Sequence, residues 1–395
     1  MKFDYGVVTP FPNSEKRKQG GAARFIKQIV QHFEGIRGKI YSEQLPDEKI
    51  EVLDHYEVVP SWRKSGFAPF REVIEDIDRE KISKLLVNFE FGAYGGIIGI
   101  IWLLFFYLGL RIKKVRIVTI FHPAVLTYAE MVGIADHLGK SKHSLSLFIY
   151  TVGMRIYALL LSFLSNTIVT FEEEFGQRLE RLGVPKKKIS VIPHQIYGKA
   201  SQSTFPKGKL SLLFFGFLVP YKGLDLLLDA YGLVDKQKIS LTVVGGKSPN
   251  AMNDSYYDYI TSRMAHEGVE YVDYVPDDEI PKYFRNAHLL ILPYKNLMAS
   301  SGPLAWAIGE GRPFLMSSNL KAYLQNIDFI EAMKFNKVSS NDILFEFDSN
   351  SLAKKLNFYA DNREKLEALQ DVSFKLQVLR SPELTARRYK QLLFS

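Results

Sequence analysis

Ser300, Ser301 and Gly302 stand directly before Pro303 in the run AHLLILPYKNLMASSGPLAWAIGEGRPFL, residues 287–315. Proline sits best at the first position of a helix, so a helix is expected to begin there. A helix start offers free N–H groups and the positive end of the helix dipole. Two hydroxyls and a glycine that lets backbone come close complete a place to hold an anion, most often a phosphate. A second candidate is Lys222, in LSLLFFGFLVPYKGLDLLLDAYGLV. The strand there runs into Gly216, and the helix after the loop repeats Leu224, Leu227, Leu228 and Tyr231 at helical spacing. Lys222 therefore adds its charge to a helix entrance. Alone it reads as a solvated loop lysine; beside the Ser-Ser-Gly loop at a neighbouring strand end it reads as half of a diphosphate grip.

These residues need a scaffold of strands and helices. HLLILP is an apolar run of the fully buried kind, Gly311 ends the helix after it, and RPFLMS opens the next strand. Further strands are predicted near Asp4–Val8, Ile50–Val59, Lys84–Phe89, Val115–Phe121, Thr167–Thr170 and Ile189–Ile192. In the second half they fall near Leu210–Phe215, Ser240–Val244, Val269–Tyr271, His288–Leu292 and Pro313–Met316. Helical patterns separate most of them, so the fold class is α/β, with two doubly wound parallel sheets. The expected domains are 1–200 and 206–376, joined by the polar stretch Gly198 to Lys209. A closing helix at 377–395 is expected to pack back on the first domain.

Composition sets outer limits. The 395 residues favour two domains, and 47% hydrophobic with 24% charged residues is ordinary globular material. No cysteine is present, so there is no disulfide framework and no thiol nucleophile. The net charge of +8 fits a solvated basic surface, an anionic substrate or an anionic membrane. A basic stripe with interleaved aromatics and zinc-finger spacing are both lacking, which excludes the common nucleic-acid readers. The start, MKFDYGVVTPFPN, lacks the pattern of a signal peptide. Residues 92–110, GAYGGIIGIIWLLFFYLGL, run for 19 positions without a charge and meet the basic patch RIKKVR. Their length allows a membrane span, but the glycines and the flanking strand runs point to a crossover helix that is buried or faces a membrane. Residues 144–164 contain Arg155 and read as a core or surface-docking helix.

The two loop–helix units, VVGG between them, and DDEIPKYFRNAHLLILPY leading into the second closely resemble family 4 glycosyltransferases of the GT-B fold. So do the paired glycines Gly20-Gly21 and the runs NFEFGAYGG, VTIFHP and KKKISVIPHQIY in the first half. The resemblance covers nearly the whole chain. It implies two Rossmann-like domains facing across a cleft and transfer of a hexose from a UDP- or GDP-sugar with retention of configuration. It implies no metal or other cofactor, with the nucleotide sugar as co-substrate. The acceptor would be a glycan or lipid-linked oligosaccharide; the apolar segments 92–110 and 144–164, the net positive charge and the RIKKVR patch place the work at the cytoplasmic face of a membrane, in peripheral contact, with a soluble acceptor as the alternative.

The resemblance also assigns roles. Lys222 would neutralise the leaving diphosphate, and Ser300, Ser301 and Gly302 would hold it. Gly216, Gly20 and Gly21 would let backbone approach the phosphates, and Tyr294 would line the donor pocket. His122 would contact the transferred sugar; the alternative is a strand-end histidine bonded locally. Glu90 would meet the acceptor or cap a helix, and His194 reads as structural. The chain departs from the family where two glutamates are usual, eight positions apart: Met298 and Trp306 stand there, with Glu310 one turn further on. An arginine that usually accompanies the lysine is replaced by Phe217 or Val219, and Lys247 or Arg24 could substitute. These losses motivate the alternative of a catalytically degenerate GT-B protein that binds sugar or nucleotide or serves as a partner subunit.

Overall fold

The computed structural model describes residues 2–10, 21–45, 49–90, 93–122, 126–128, 144–198, 200, 204–248, 255–297 and 300–395. Gly20, Pro123 and Met298 lie outside them. The chain forms two compact units. One contains Met1–Ala124, Val152–Gln195 and Pro382–Ser395; the other contains Val125–Thr151 and Ile196–Ser381.

The first sheet is built from β1 (Tyr5–Val8), α1 (Gly21–Gln31), β2 (Gly38–Glu43), β3 (Glu51–Val52), β4 (Tyr56–Trp62), α2 (Arg71–Arg79), β5 (Lys84–Phe89), α3 (Gly96–Ile112), β6 (Arg116–Phe121), α4 (Ser144–Leu164), β7 (Thr167–Thr170), α5 (Glu173–Arg181) and β8 (Ile189–Val191). Its order is β3-β4-β2-β1-β5-β6-β7-β8, parallel except for the β3–β4 pair. Side chains alternate across it. Leu86, Val118 and Ile120 point to one face, where Phe25 and Ile29 of α1 close the core. Thr119 points to the other, where its hydroxyl meets Tyr107 of α3 at 2.8 Å and Ser165, just after α4, at 2.7 Å. Tyr157 of α4 lies on Phe89 on that same face. Helices α3 and α4 thus share one side of the sheet, as right-handed crossovers between successive parallel strands require.

Two expectations change here, and a third is met. The run Ile50–Val59 is not one strand: β3 and β4 form an antiparallel pair. The strand β2 was not expected, because GKIYSE is polar; Lys39 is buried there by pairing with Asp76 at 2.7 Å. The apolar segment 92–110 yields a helix of 17 residues that begins only after Gly95. Gly95 has φ +91°, and a Cβ there would strike the Lys64 carbonyl.

The second sheet is parallel throughout, in the order β11-β10-β9-β12-β13-β14. Its chain order is β9 (Leu210–Phe215), α6 (Leu224–Tyr231), β10 (Ile239–Val244), α7 (Ser255–Glu267), β11 (Glu270–Val272), α8 (Ile280–Arg285), β12 (Leu289–Leu292), α9 (Gly302–Gly309), β13 (Phe314–Ser317), α10 (Ile327–Phe335), α11 (Ser340–Ile343), β14 (Leu344–Phe345), α12 (Ser349–Asp361) and α13 (Lys365–Leu379). The closing helix α14 (Pro382–Phe394) belongs to the first unit, where Ala386, Tyr389 and Leu393 join the α1 core.

Candidate active site

The central strands β9 and β12 of the second sheet are neighbours, so the loops at their carboxyl ends meet. β9 runs into Gly216, which has φ +118°. A Cβ on Gly216 would fall 2.2 Å from Nζ of Lys222. The glycine is therefore what lets the lysine fold back over the strand end. Lys222 itself closes a 3-10 turn, Pro220–Lys222, that leads through Gly223 into α6. Gly223 has φ +68°, and a side chain there would strike the Pro293 carbonyl after β12.

From β12 the chain passes Tyr294, whose carbonyl accepts from Ser317 Oγ at 2.6 Å. α9 then starts at Gly302, one residue earlier than the proline suggested, with Ser301 as its cap; Ser301 Oγ accepts from the Leu304 N–H at 3.3 Å. That leaves its O–H free to donate. Tyr294 OH lies 3.5 Å from Ser301 Oγ, and the Lys222 ammonium lies 5.9 Å from the Tyr294 ring centre. A cavity of about 120 Å³ opens among Tyr221, Lys222, Tyr294, Ser300, Ser301 and Pro303.

Lys222 is buried, and among the described residues no acceptor or carboxylate pairs with its ammonium. Burial pushes its pKa down to about 8. A buried cation with no acceptor among the described residues, beside the positive end of a helix, is suited to hold an anion. Gly216→Ala is expected to displace the ammonium and weaken UDP or GDP binding at least tenfold, read by calorimetry. Gly208→Ala is the control: it carries the same kind of strain, φ +98°, in open space.

Of the other expected site residues, Gly21 opens α1. His122 follows β6, in the first unit. Its Nε2 lies 2.6 Å from Asn88 Oδ1, and Asn88 Nδ2 donates to Thr9 Oγ1 at 3.0 Å. Phe25 and Phe171 sit edge-on to the imidazole. Burial, with His194 adding to it, pushes the His122 pKa down to about 3. The ring is neutral. Asn88, the residue that orients it, stands in the NFEFG run, where Glu90 drew attention instead; alternation puts Asn88 on the His122 face. Glu90 does not cap α3, whose cap is Gly95 with no side-chain bond. Burial raises its pKa, opposed by Lys64. His194 is bonded to the Gln195 carbonyl and packed on Phe25.

The departures from the family pattern have structural outcomes. Trp306 packs on Tyr197 and Phe284, and its buried indole N–H meets no acceptor among the described residues. Glu310 pairs with Arg285 at 3.1 Å. Val219 is buried and Phe217 partly exposed, while Lys247 is exposed just past β10. Lys222 is thus the cation of the described cavity lining. Among the described residues no group of three or more His, Asp or Glu is placed to hold a metal.

Residues 199–305 match the family described as glycosyl transferases group 1. A GDP-mannose:glycolipid 4-beta-D-mannosyltransferase of Xanthomonas campestris pv. campestris is 31% identical over 121 residues, 30% of this chain and 33% of that one. The chain matches about a third of the length of its curated relatives. Among solved structures, Anabaena HepE in complex with UDP aligns over 100% of both chains with TM-score 0.68 and 13% identity. Sucrose-phosphate synthase from Thermosynechococcus elongatus aligns over 99% of this chain and 98% of its own with TM-score 0.71 and 13% identity. The chain therefore has the GT-B fold and is related to the group 1 glycosyl transferases.

Proposed function

We propose that this protein moves a hexose from a UDP- or GDP-sugar to a glycan or lipid-linked acceptor in polysaccharide or glycoconjugate assembly. The observation that carries this is the buried Lys222 ammonium, which has no acceptor among the described residues, against the start of α9. Breaking a glycosidic bond to a diphosphate leaves negative charge on the departing oxygen, and a fixed cation beside the positive end of a helix stabilises it without rearranging. Similarity to a GDP-mannose enzyme and to a structure with UDP supports a nucleotide-sugar donor. Tyr294, Gly216 and the Ser300–Gly302 loop would hold the diphosphate. No metal ion is required in this reading, since Lys222 supplies the charge. Nucleotide sugars are made in the cytoplasm, so the protein works there, in peripheral contact with the inner face of the membrane.

The test is nucleotide release from a panel of UDP- and GDP-sugars by the purified protein. Release from at least one donor, abolished in Lys222→Ala, is expected. Binding of nucleotide without turnover on any donor or acceptor would instead favour the degenerate GT-B binding protein.

Stereochemistry has two readings. The family resemblance implies retention. The Xanthomonas relative is named for a β-mannosyl product, which an α-linked GDP-mannose gives only by inversion. Inversion needs a base to take the acceptor proton as the new bond forms. Glu90, a carboxylate whose burial raises its pKa at the carboxyl end of β5, would take that role. An α product that survives Glu90→Gln supports retention; a β product lost in Glu90→Gln supports inversion.

A further inference from the structure

Helices α3 and α4 each present an apolar face that no described part of the protein covers. On α3 it is formed by Ile98, Ile101 and Phe105, spaced by three and four; on α4 by Ile156, Leu160 and Phe163. All six are exposed, Ile98 to 68%. The opposite sides of the helices hold Leu103, Phe106, Tyr157 and Leu161, which are buried on the sheet. Helix α3 and the Val152–Leu164 part of α4, both in the first unit, therefore lie against the same face of its sheet. Beside α3, Phe67 is 90% exposed and meets Trp102 edge-on at 5.0 Å. Next to that pair a groove of about 290 Å³ runs between α2 and α3, lined by Phe70, Ile74, Trp102 and Phe105.

Cations border this surface at the amino edge of the strands. Arg111, Lys113 and Lys114 end α3 and are exposed. Lys188 donates to the carbonyls of Ser162, Phe163 and Ser165, which ties the last turn of α4 to the exposed Lys186 and Lys187. Arg111 donates to Asn166 just beyond the same turn.

We propose that the α3–α4 face is a docking surface for an anionic lipid bilayer, with α3 and α4 lying in the interface and a lipid hydrocarbon chain entering the groove between α2 and α3. Three features select a bilayer over a protein partner. Residues Leu145–Leu164 are 20 long with mean hydropathy 1.8, yet only 39% of their apolar window is buried. The rim is cationic at one end, which complements anionic headgroups. Trp102 and Phe67 stand at the edge of the apolar area, where aromatic side chains anchor at a membrane interface. This deepens the membrane contact proposed above, and its test does not depend on sugar transfer.

The full-length protein is sedimented with phosphatidylcholine vesicles, with and without phosphatidylglycerol. Binding is expected on the phosphatidylglycerol vesicles, released by high salt or alkaline carbonate, with Trp102 fluorescence quenched by brominated acyl chains. The double variant Ile98→Glu/Phe105→Glu is expected to lower the partition at least tenfold, and Lys114→Ala/Lys187→Ala to lower it on anionic vesicles alone. Unchanged nucleotide binding by calorimetry shows that these variants are folded. No vesicle binding by the wild type, or equal binding by the glutamate variant, overturns the proposal. So does a wild-type dimer in solution that the glutamate variant splits, because the face would then belong to a second copy. Nucleotide release without vesicle binding rejects the docking surface alone; vesicle binding without nucleotide release rejects sugar transfer alone.

Discussion

Lys222→Met is expected to stop nucleotide release and to raise the melting temperature of the ligand-free protein. Both follow from one feature, an ammonium held out of water with no acceptor among the described residues. Removing a fixed donor from a site of charge development costs roughly 10²–10³ in turnover. The stability effect has the opposite sign. Burial lowers the lysine pKa from 10.5 to about 8, which corresponds to about 3 kcal/mol of destabilisation while the group is charged. Between pH 8 and 10.5 the unfolded chain holds a proton that the folded chain has released, so wild-type stability rises with pH across that window. The advantage of Lys222→Met is therefore full below pH 8 and closes as pH climbs towards 10.5. Methionine fills similar space without a charge. Nucleotide affinity shows the matching dependence. The diphosphate favours the charged lysine, so wild-type affinity weakens as pH rises above 8, and binding there takes up a proton. Thermal melts and calorimetry across pH 7–10.5 measure both. A variant less stable than wild type that still releases nucleotide would reverse the assignment of Lys222 as an anion-holding residue.

The candidate anion site could be assembled from the sequence because its parts are local. Gly216, Lys222 and the Ser300–Pro303 turn each belong to a strand–loop–helix unit whose strand is apolar and buried. Pairing of β9 with β12, which brings the two loops together, follows from the doubly wound order. What sequence could not give were features that depend on long-range partners. Lys39 looks like a surface residue until Asp76, from α2, is set against it. Asn88 looks inert until Thr9 and His122, far apart in sequence, close on either side of it. Trp306 read as a missing ribose contact; its packing against Tyr197 and Phe284 shows what the indole does instead. The apolar run at 92–110 was ambiguous because hydropathy does not report which half of a helix is covered. Tyr107 and Thr119 resolve it by a hydrogen bond under the sheet-facing side.

Asn88→Asp is expected to turn His122 from a permanently neutral ring into one that charges near neutral pH. In the wild type the Asn88 amide is oriented by Thr9: Nδ2 donates there, so Oδ1 faces the imidazole and Nε2 carries the ring proton. Nδ1 is then the lone-pair nitrogen, the form suited to accept from a hydroxyl. Burial among Phe25 and Phe171, with His194 nearby, holds the pKa at about 3 rather than 6.5. The unfolded chain therefore takes up a proton that the folded chain refuses as pH falls below 6.5. Stability is lost progressively between pH 6.5 and 3, up to about 5 kcal/mol from this residue. An aspartate at 88 would place a carboxylate at the 2.6 Å contact and stabilise the imidazolium, raising the pKa by several units and removing that acid lability. Nitrogen-15 NMR of the histidine rings reads both states. The wild-type signal should stay neutral, with the proton on Nε2, down to pH 4, while the variant titrates. Turnover in Asn88→Asp should fall at neutral pH and recover as pH rises above the new pKa, a profile that a residue serving only to pack the strand end would not produce. A wild-type His122 that titrates near 6.5, or carries its proton on Nδ1, would remove Asn88 from this role.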